Sequence, residues 1–276
     1  MSDKVKEIVI EEVERVKILA QEAVQSGAYY YPIKGIEYFF IHRSLWKPLT
    51  AKLVPAVSLG LGITVFMFVV TYIPQAAVLA ILNGPLAVIS TILLVLSESS
   101  TLFSFLNKNF LINDALIDTF DGTLVSRNQT SLVSRGRQIR QGSDPISKLG
   151  KILSRPFAKC TPKVLIRYFM YLSLNFIPIV GTVLFVILQG REFGPSAHAR
   201  YFQLKDMSKS QREEFIEKRR AAYTSFGITA VLLELIPIAG IIFAFTNTVG
   251  AALWAADIEE QDSAARNFRN QPKKAE

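Results

Sequence analysis

The chain has little that would support chemistry in water. It contains one cysteine, Cys160, among its 276 residues, so an internal disulfide is excluded. His42 and His198 are its two histidines, and neither has a ligand-spaced His or Cys near it, so no metal site is expected. No nucleophile elbow or phosphate loop occurs. The nearest approach to a catalytic motif is Asp118-Thr-Phe-Asp-Gly-Thr-Leu124. Its carboxylates stand three apart rather than two, and no apolar strand precedes them, so a phosphatase aspartate loop is rejected. The N-terminus is charged and periodic, which argues against a cleavable signal peptide. A net charge of +8 comes with no nucleic-acid recognition motif, so no nucleic-acid partner is expected. No catalytic residue and no cofactor is assigned.

What the chain does have is hydrocarbon. Half the residues are hydrophobic and the mean hydropathy is +0.29. Leu53 to Ser97 is 45 residues without a charge. Tyr168 to Gly190 is a second uncharged run, and Ala221 to Ala256 is a third, interrupted only by Glu234. A bilayer span needs about 20 apolar residues, so the first run is long enough for two spans. An all-α membrane protein is the expected fold class.

Five regions follow. Residues 1–52 form an amphipathic and interfacial region, with a helix over 3–25 and aromatics from Tyr29 to Trp46 suited to the headgroup level. Residues 53–97 form a long transmembrane hairpin turning at Pro74, with a kink at Gly84-Pro85. Residues 98–167 hold an amphipathic helix to Phe120 and then a solvated basic loop. Residues 168–256 carry an internal repeat around the basic loop 191–222, and 257–276 are a polar tail.

The repeat aligns Asn175-Phe-Ile-Pro-Ile-Val-Gly181 with Glu234-Leu-Ile-Pro-Ile-Ala-Gly240. Each copy puts a helix breaker and a glycine near the middle of an apolar run, at Pro178 with Gly181 and at Pro237 with Gly240. Half-length helices joined at depth are expected, as two re-entrant hairpins. Charge agrees: eight Lys/Arg lie in 1–52, eleven in 98–167, eight in 191–222 and four in 255–276. If each IPxxG segment crossed once, the basic 191–222 stretch would lie on the lumenal side; the positive-inside tendency favours entry and return instead, with every polar stretch cytosolic. The sequon at Asn128 would stay unmodified there, and the ending Lys273-Lys274-Ala-Glu276 is similar to a dilysine retrieval signal.

Glu234 is the one ionisable group inside an apolar run; with Asn175 and Asn247 it makes a candidate membrane-embedded polar site, or caps half-helices. Arg191, His198 and Arg200, in GREFGPSAHARYF, are candidate contacts for anionic headgroups, against the alternative of a plain basic loop. Membrane lipids are the expected partners. Short hairpins alone form a poor pore, so a homo-oligomer is compatible with either reading.

The strings LNFIPIVGTVLFVILQGREFGPSAHARYFQLKDMS, FGITAVLLELIPIAG and FTNTVGAALWAADIE resemble the fungal branch of the etoposide-induced/CysZ-like membrane proteins, closest to the fungal lipid-droplet and outer-spore-wall group. The resemblance covers roughly residues 30–260 and is strongest at 165–258. It implies two long membrane helices followed by two half-penetrating hairpins. It further implies residence in the endoplasmic reticulum and lipid droplets and a role in spore-wall formation. A small-anion transporter, with both IPxxG repeats lining the path, is the alternative.

Overall fold

A computed structural model describes residues 21–153, 180–236 and 239–269. It is mostly helical and divides into two compact units: residues 47–116, and residues 1–46 with 117–276. Residues 1–20 of the N-terminal amphipathic helix, the first repeat copy up to Ile179, including Asn175 and Pro178, and Pro237 of the second copy lie outside the described residues.

The unit 47–116 is a helical hairpin. Helix α2 covers Trp46–Asn83 and α3 covers Ala87–Leu106. The expected turn at Pro74 is not there, because α2 runs through both Pro55 and Pro74. A proline removes one helical hydrogen bond, and an apolar segment has no other partners to offer a broken backbone, so the helix continues. The chain turns instead at Gly84, which takes a left-handed φ of 53° as helix-ending glycines do. Pro85 follows in the short 3-10 turn Gly84–Leu86 that leads into α3, a helix start where its missing N–H leaves no bond unmade. The return arm passes Glu98 without stopping and ends in a π-helical turn, Asn107–Leu111. The two arms meet where Gln75 Nε2 donates to Glu98 Oε2 at 2.7 Å, and where the Phe103 ring faces Gly60.

The apolar side chains of this hairpin point outward. Val54, Val57, Val65, Val69, Ile73, Val78, Ile81, Leu86 and Leu93 are all exposed. Among the described residues, two helical segments are long and apolar enough to cross a membrane, Arg43–Ile81 and Gly240–Ala265. Only 11% of the first segment's most apolar window is buried, against 72% of the second's, so the second is enclosed by protein.

The other unit is built around helix α9, Gly240–Arg269. Helix α1, Tyr31–Ile41, lies against it, started by Pro32 in the first turn. The approach is close because Gly35 and Gly250 face each other across the contact. Helix α4, Asn113–Ser126, leads through one turn at Thr130–Val133 into a two-stranded antiparallel ribbon, β1 Arg137–Ile139 and β2 Leu149–Ile152. A solvated, partly flexible basic loop is expected over 121–163; its described part, 121–153, holds instead the end of α4, one helical turn and this small ribbon. The ribbon pairs Arg137 with Ile152 and Ile139 with Leu149, with a bulge between.

The basic segment 191–222 is likewise helical rather than a loop: α5 Val180–Ala197, α6 Ala199–Leu204, α7 Lys209–Glu217, then α8 Arg220–Glu234. Helix α7 begins with a capping box, Ser208 and Gln211 exchanging side-chain and backbone bonds. Helices α5 and α8 pack so closely that a Cβ on Gly227 would overlap the Gly190 carbonyl, and one on Gly194 would overlap that of Tyr223. Gly190-Arg-Glu-Phe-Gly194 is a small-xxx-small stripe of the kind that brings apolar helices together. The core of this unit gathers Phe120, Leu124, Tyr201, Phe202, Tyr223, Phe226 and Ala251.

This packing sets an expectation for Gly227→Leu. The atoms in the way are backbone and cannot swing aside, so a loss near the top of the usual overpacking range, about 3 kcal/mol, is expected. Thermal unfolding in detergent checks it. Gly62→Leu, where a Cβ would meet nothing within 4 Å, should leave the transition unchanged.

Candidate functional site

Arg200 was expected at the surface; it turns inward. Its side chain is 3% exposed and grips the fully buried carboxylate of Asp121 on α4. Nε donates to Oδ1 at 2.8 Å and Nη2 to Oδ2 at 2.7 Å, while Nη1 donates to Gln203 Oε1 at 2.7 Å. Arg137 of β1 closes the cluster. Its Nη1 lies 2.7 Å from Asp118 Oδ1, as an ion pair rather than an aligned hydrogen bond, and 3.3 Å from Asp121 Oδ2. Its Nε donates to the Gly150 carbonyl. Bonded to Asp121 and Gln203 and 3% exposed, Arg200 does not stand at the surface where a headgroup contact is expected. The two aspartates of the rejected motif thus tie α4, the ribbon and α6 together.

His198 is also withdrawn from the surface. It is fully buried, with Nδ1 2.8 Å from Tyr223 Oη and Nε2 2.9 Å from the Ala251 carbonyl. A carbonyl only accepts, so Nε2 carries the proton and Nδ1 accepts from the tyrosine hydroxyl. Aromatic rings surround it, Trp254 at 4.7 Å and Tyr223 at 5.4 Å between centroids. Burial favours the neutral ring and lowers its pKa to about 4, against a smaller opposing effect of the Ala251 carbonyl. Arg191, by contrast, is exposed on α5.

The polar end of α9 is clasped on three sides. Asp257 accepts from the Tyr31 hydroxyl at 2.7 Å and from Arg127 at 3.0 Å; Arg127 also reaches Glu260. Glu259 accepts from Tyr201 and Lys205, each at 2.7 Å. Burial, then the bond to Glu259, raise the Tyr201 pKa, so the phenol stays protonated.

At the opposite end, α8 stops at Glu234 and α9 starts at Gly240. A Cβ on Gly240 would stand 2.6 Å from the Glu234 carbonyl, so the turn is tight. Asn247 Nδ2 donates to the Ala230 carbonyl at 3.0 Å and to Glu234 Oε1 at 3.2 Å. The two candidate polar residues are therefore brought together. Asn247 Oδ1 is buried without a partner among the described residues. Those residues contain no group of three or more His, Cys, Asp or Glu side chains placed to hold a metal ion.

The family described as Sulfate transporter CysZ/Etoposide-induced protein 2.4 matches residues 31–244. Outer spore wall protein RRT8 of Saccharomyces cerevisiae is 29% identical over 261 residues, covering 88% of this chain and 75% of its own length. Outer spore wall protein LDS1 of the same yeast is 26% identical over 247 residues, covering 86% of this chain and 72% of its own.

Two outcomes follow from the buried charges. Asp121→Asn takes the buried carboxylate from Arg200, while Arg137 keeps Asp118, and about 3–5 kcal/mol of stability should be lost in thermal unfolding. The His198 effect depends on pH. Unfolded, the ring takes up a proton near its ordinary value of 6.5; folded, it does so only near 4. Between these values the unfolded chain binds more protons, so stability falls as pH falls through that window, by on the order of 3 kcal/mol. The wild-type loss between pH 6.5 and 4 should exceed that of His198→Gln by this amount, as read from paired melting curves.

Proposed function

The chain belongs to the Sulfate transporter CysZ/Etoposide-induced protein 2.4 family, and from that premise we propose that it is a non-enzymatic membrane protein acting in outer spore wall assembly. Its residence is the endoplasmic reticulum and the surface of lipid droplets, with membrane lipids as partners and every polar stretch cytosolic. The observation that carries the membrane half of this reading is the hairpin α2–α3. A water-soluble protein rarely exposes a continuous apolar surface of this length, whereas lipid tails require one. The spore-wall half rests on the similarity to RRT8 and LDS1, both named as outer spore wall proteins.

The all-cytosolic topology has separate support. Helix α8 has 15 residues, about 22 Å, which is short of the ~20 residues a crossing needs. Helix α9 follows from Gly240 with Asn247 bonded back to Ala230 and Glu234 of α8, as the return arm of a half-penetrating hairpin would be. The hairpin tip around Gly84 and Pro85 is uncharged, and Glu98 within it accepts a hydrogen bond from Gln75. Nothing charged has to lie beyond the oil, as residence in a droplet monolayer demands.

One observation favours the anion-transport reading. The unpartnered Asn247 Oδ1 beside Glu234 is a buried polar site in an apolar hairpin, and such sites often mark a path. The inward-turned Arg200 and His198 take two cationic candidates away from that path.

Glycosylation reporters at position 128 and near 205 should stay unmodified, and a fluorescent fusion should ring neutral-lipid droplets once these are induced. Two lysines inserted between Gly84 and Pro85 should abolish the rings. Rings that survive the insertion, or a glycosylated reporter, would contradict the proposal. Sulfate uptake by reconstituted vesicles that is lost in Glu234→Ala would establish the transporter instead.

A further inference from the structure

A cleft of about 320 Å³ opens where α1 crosses α9, beside the end of α4. Its charged lining consists of Lys34, Glu37, Arg127 and Asp257, and its aromatic lining is Tyr30, Tyr31 and Tyr38. Arg127 and Asp257 are already committed to each other, with Glu260 and the Tyr31 hydroxyl completing their shells. Lys34 and Glu37 are different. Both are exposed, and among the described residues neither has an ion-pair partner, although they stand three apart on one helix. The Lys34 ammonium lies over the faces of Tyr31 and Tyr30, 5.0 and 5.5 Å from their centroids, which places its charge at the cleft.

The cleft therefore offers one uncommitted cation, one uncommitted anion and tyrosine faces. Its volume is at the small end of ligand sites, enough for a polar head but not for a whole lipid. We propose that this cleft binds the headgroup of a zwitterionic phospholipid, the phosphodiester at Lys34 and the ammonium at Glu37. This rests on the membrane reading above. Exposed Tyr29, Ile33, Phe40 and Ile41 on and before α1 give the acyl chains an apolar surface to follow away from the cleft. A purely anionic lipid would satisfy Lys34 and leave Glu37 facing its phosphate. A free ammonium compound would do the reverse. A phospholipid, rather than a soluble phosphodiester, fits a helix whose outer residues are aromatic and aliphatic.

The test is lipid retention by the full chain purified in a nonionic maltoside, counted by mass spectrometry of the intact protein. The detergent contains equal amounts of phosphatidylcholine, phosphatidylethanolamine and phosphatidic acid. One zwitterionic lipid per chain should be retained at least tenfold over phosphatidic acid. Glu37→Gln should erase that preference, and Lys34→Gln should reduce retention of all three lipids at least tenfold. Both side chains are exposed, so unchanged circular dichroism is expected of each variant. Equal retention of phosphatidic acid by the wild type would reduce the cleft to an anion contact and overturn the proposal. So would retention unaffected by either substitution, or displacement of the lipid by glycerophosphocholine at equal concentration, which would mark a site for the soluble diester. Failure of the membrane reading would show separately, as release of the chain from membranes by alkaline carbonate.

Discussion

Hydrocarbon supplies no hydrogen bonds, and on the membrane reading proposed above this constraint sorts the chain. A backbone in lipid must satisfy its own polar groups, and a charge there must find a partner or be absent. The 45 uncharged residues from Leu53 to Ser97 obey it by forming helix with a single glycine-led reversal. Pro74 does not break that helix although proline is the stronger breaker in water, since a broken turn in oil would orphan several backbone groups where the proline orphans one. Glu98 and Gln75 obey the same constraint by bonding to each other.

The unit holding α9 solves the complementary problem, which is to keep charges together with little water around them. Helix α9 is a post with two kinds of surface. Its apolar stretch carries Gly250, Ala251, Ala252, Ala255 and Ala256, and neighbours approach it closely. Its acidic end, Asp257, Glu259 and Glu260, collects Tyr31, Tyr201, Lys205 and Arg127 from three separate segments. The Asp121–Arg200 pair does the same between α4 and α6. Buried pairs of this kind contribute more through the penalty of breaking them than through net stabilisation, so they act as registers for the packing.

Much of this was legible in the residues. Hydropathy alone marked the long hairpin, and the repeat Glu234-Leu-Ile-Pro-Ile-Ala-Gly240 marked a mid-segment break where α8 ends. Four things were not legible. The turn residue was misplaced because proline and Gly84-Pro85 both signal a break, and only the left-handed φ of Gly84 separates them. Arg200 and His198 were assigned to a basic surface because charge was counted by segment. Which face of a helix a charge occupies depends on partners such as Asp121 and the Ala251 carbonyl, far away in the chain. The segment GREFG was read for its charge alone, although the spacing of four between Gly190 and Gly194 is also a helix-packing signal, and that is how α5 and α8 use it. The cleft at Lys34 could not be seen at all, since it needs α1, α4 and α9 in one place.

The account stands on the claim that α2 and α3 face lipid. Its most direct measurement is a spin-label scan at Val57, Val65, Val69, Val78 and Leu93 in reconstituted bilayers, comparing relaxation by dissolved oxygen with relaxation by a water-soluble nickel chelate. At all five positions oxygen should dominate, with depth increasing from Val57 toward the hairpin turn. Strong relaxation by the nickel chelate along one face of either arm would mean a water-lined or solvent-exposed helix, and would contradict the account.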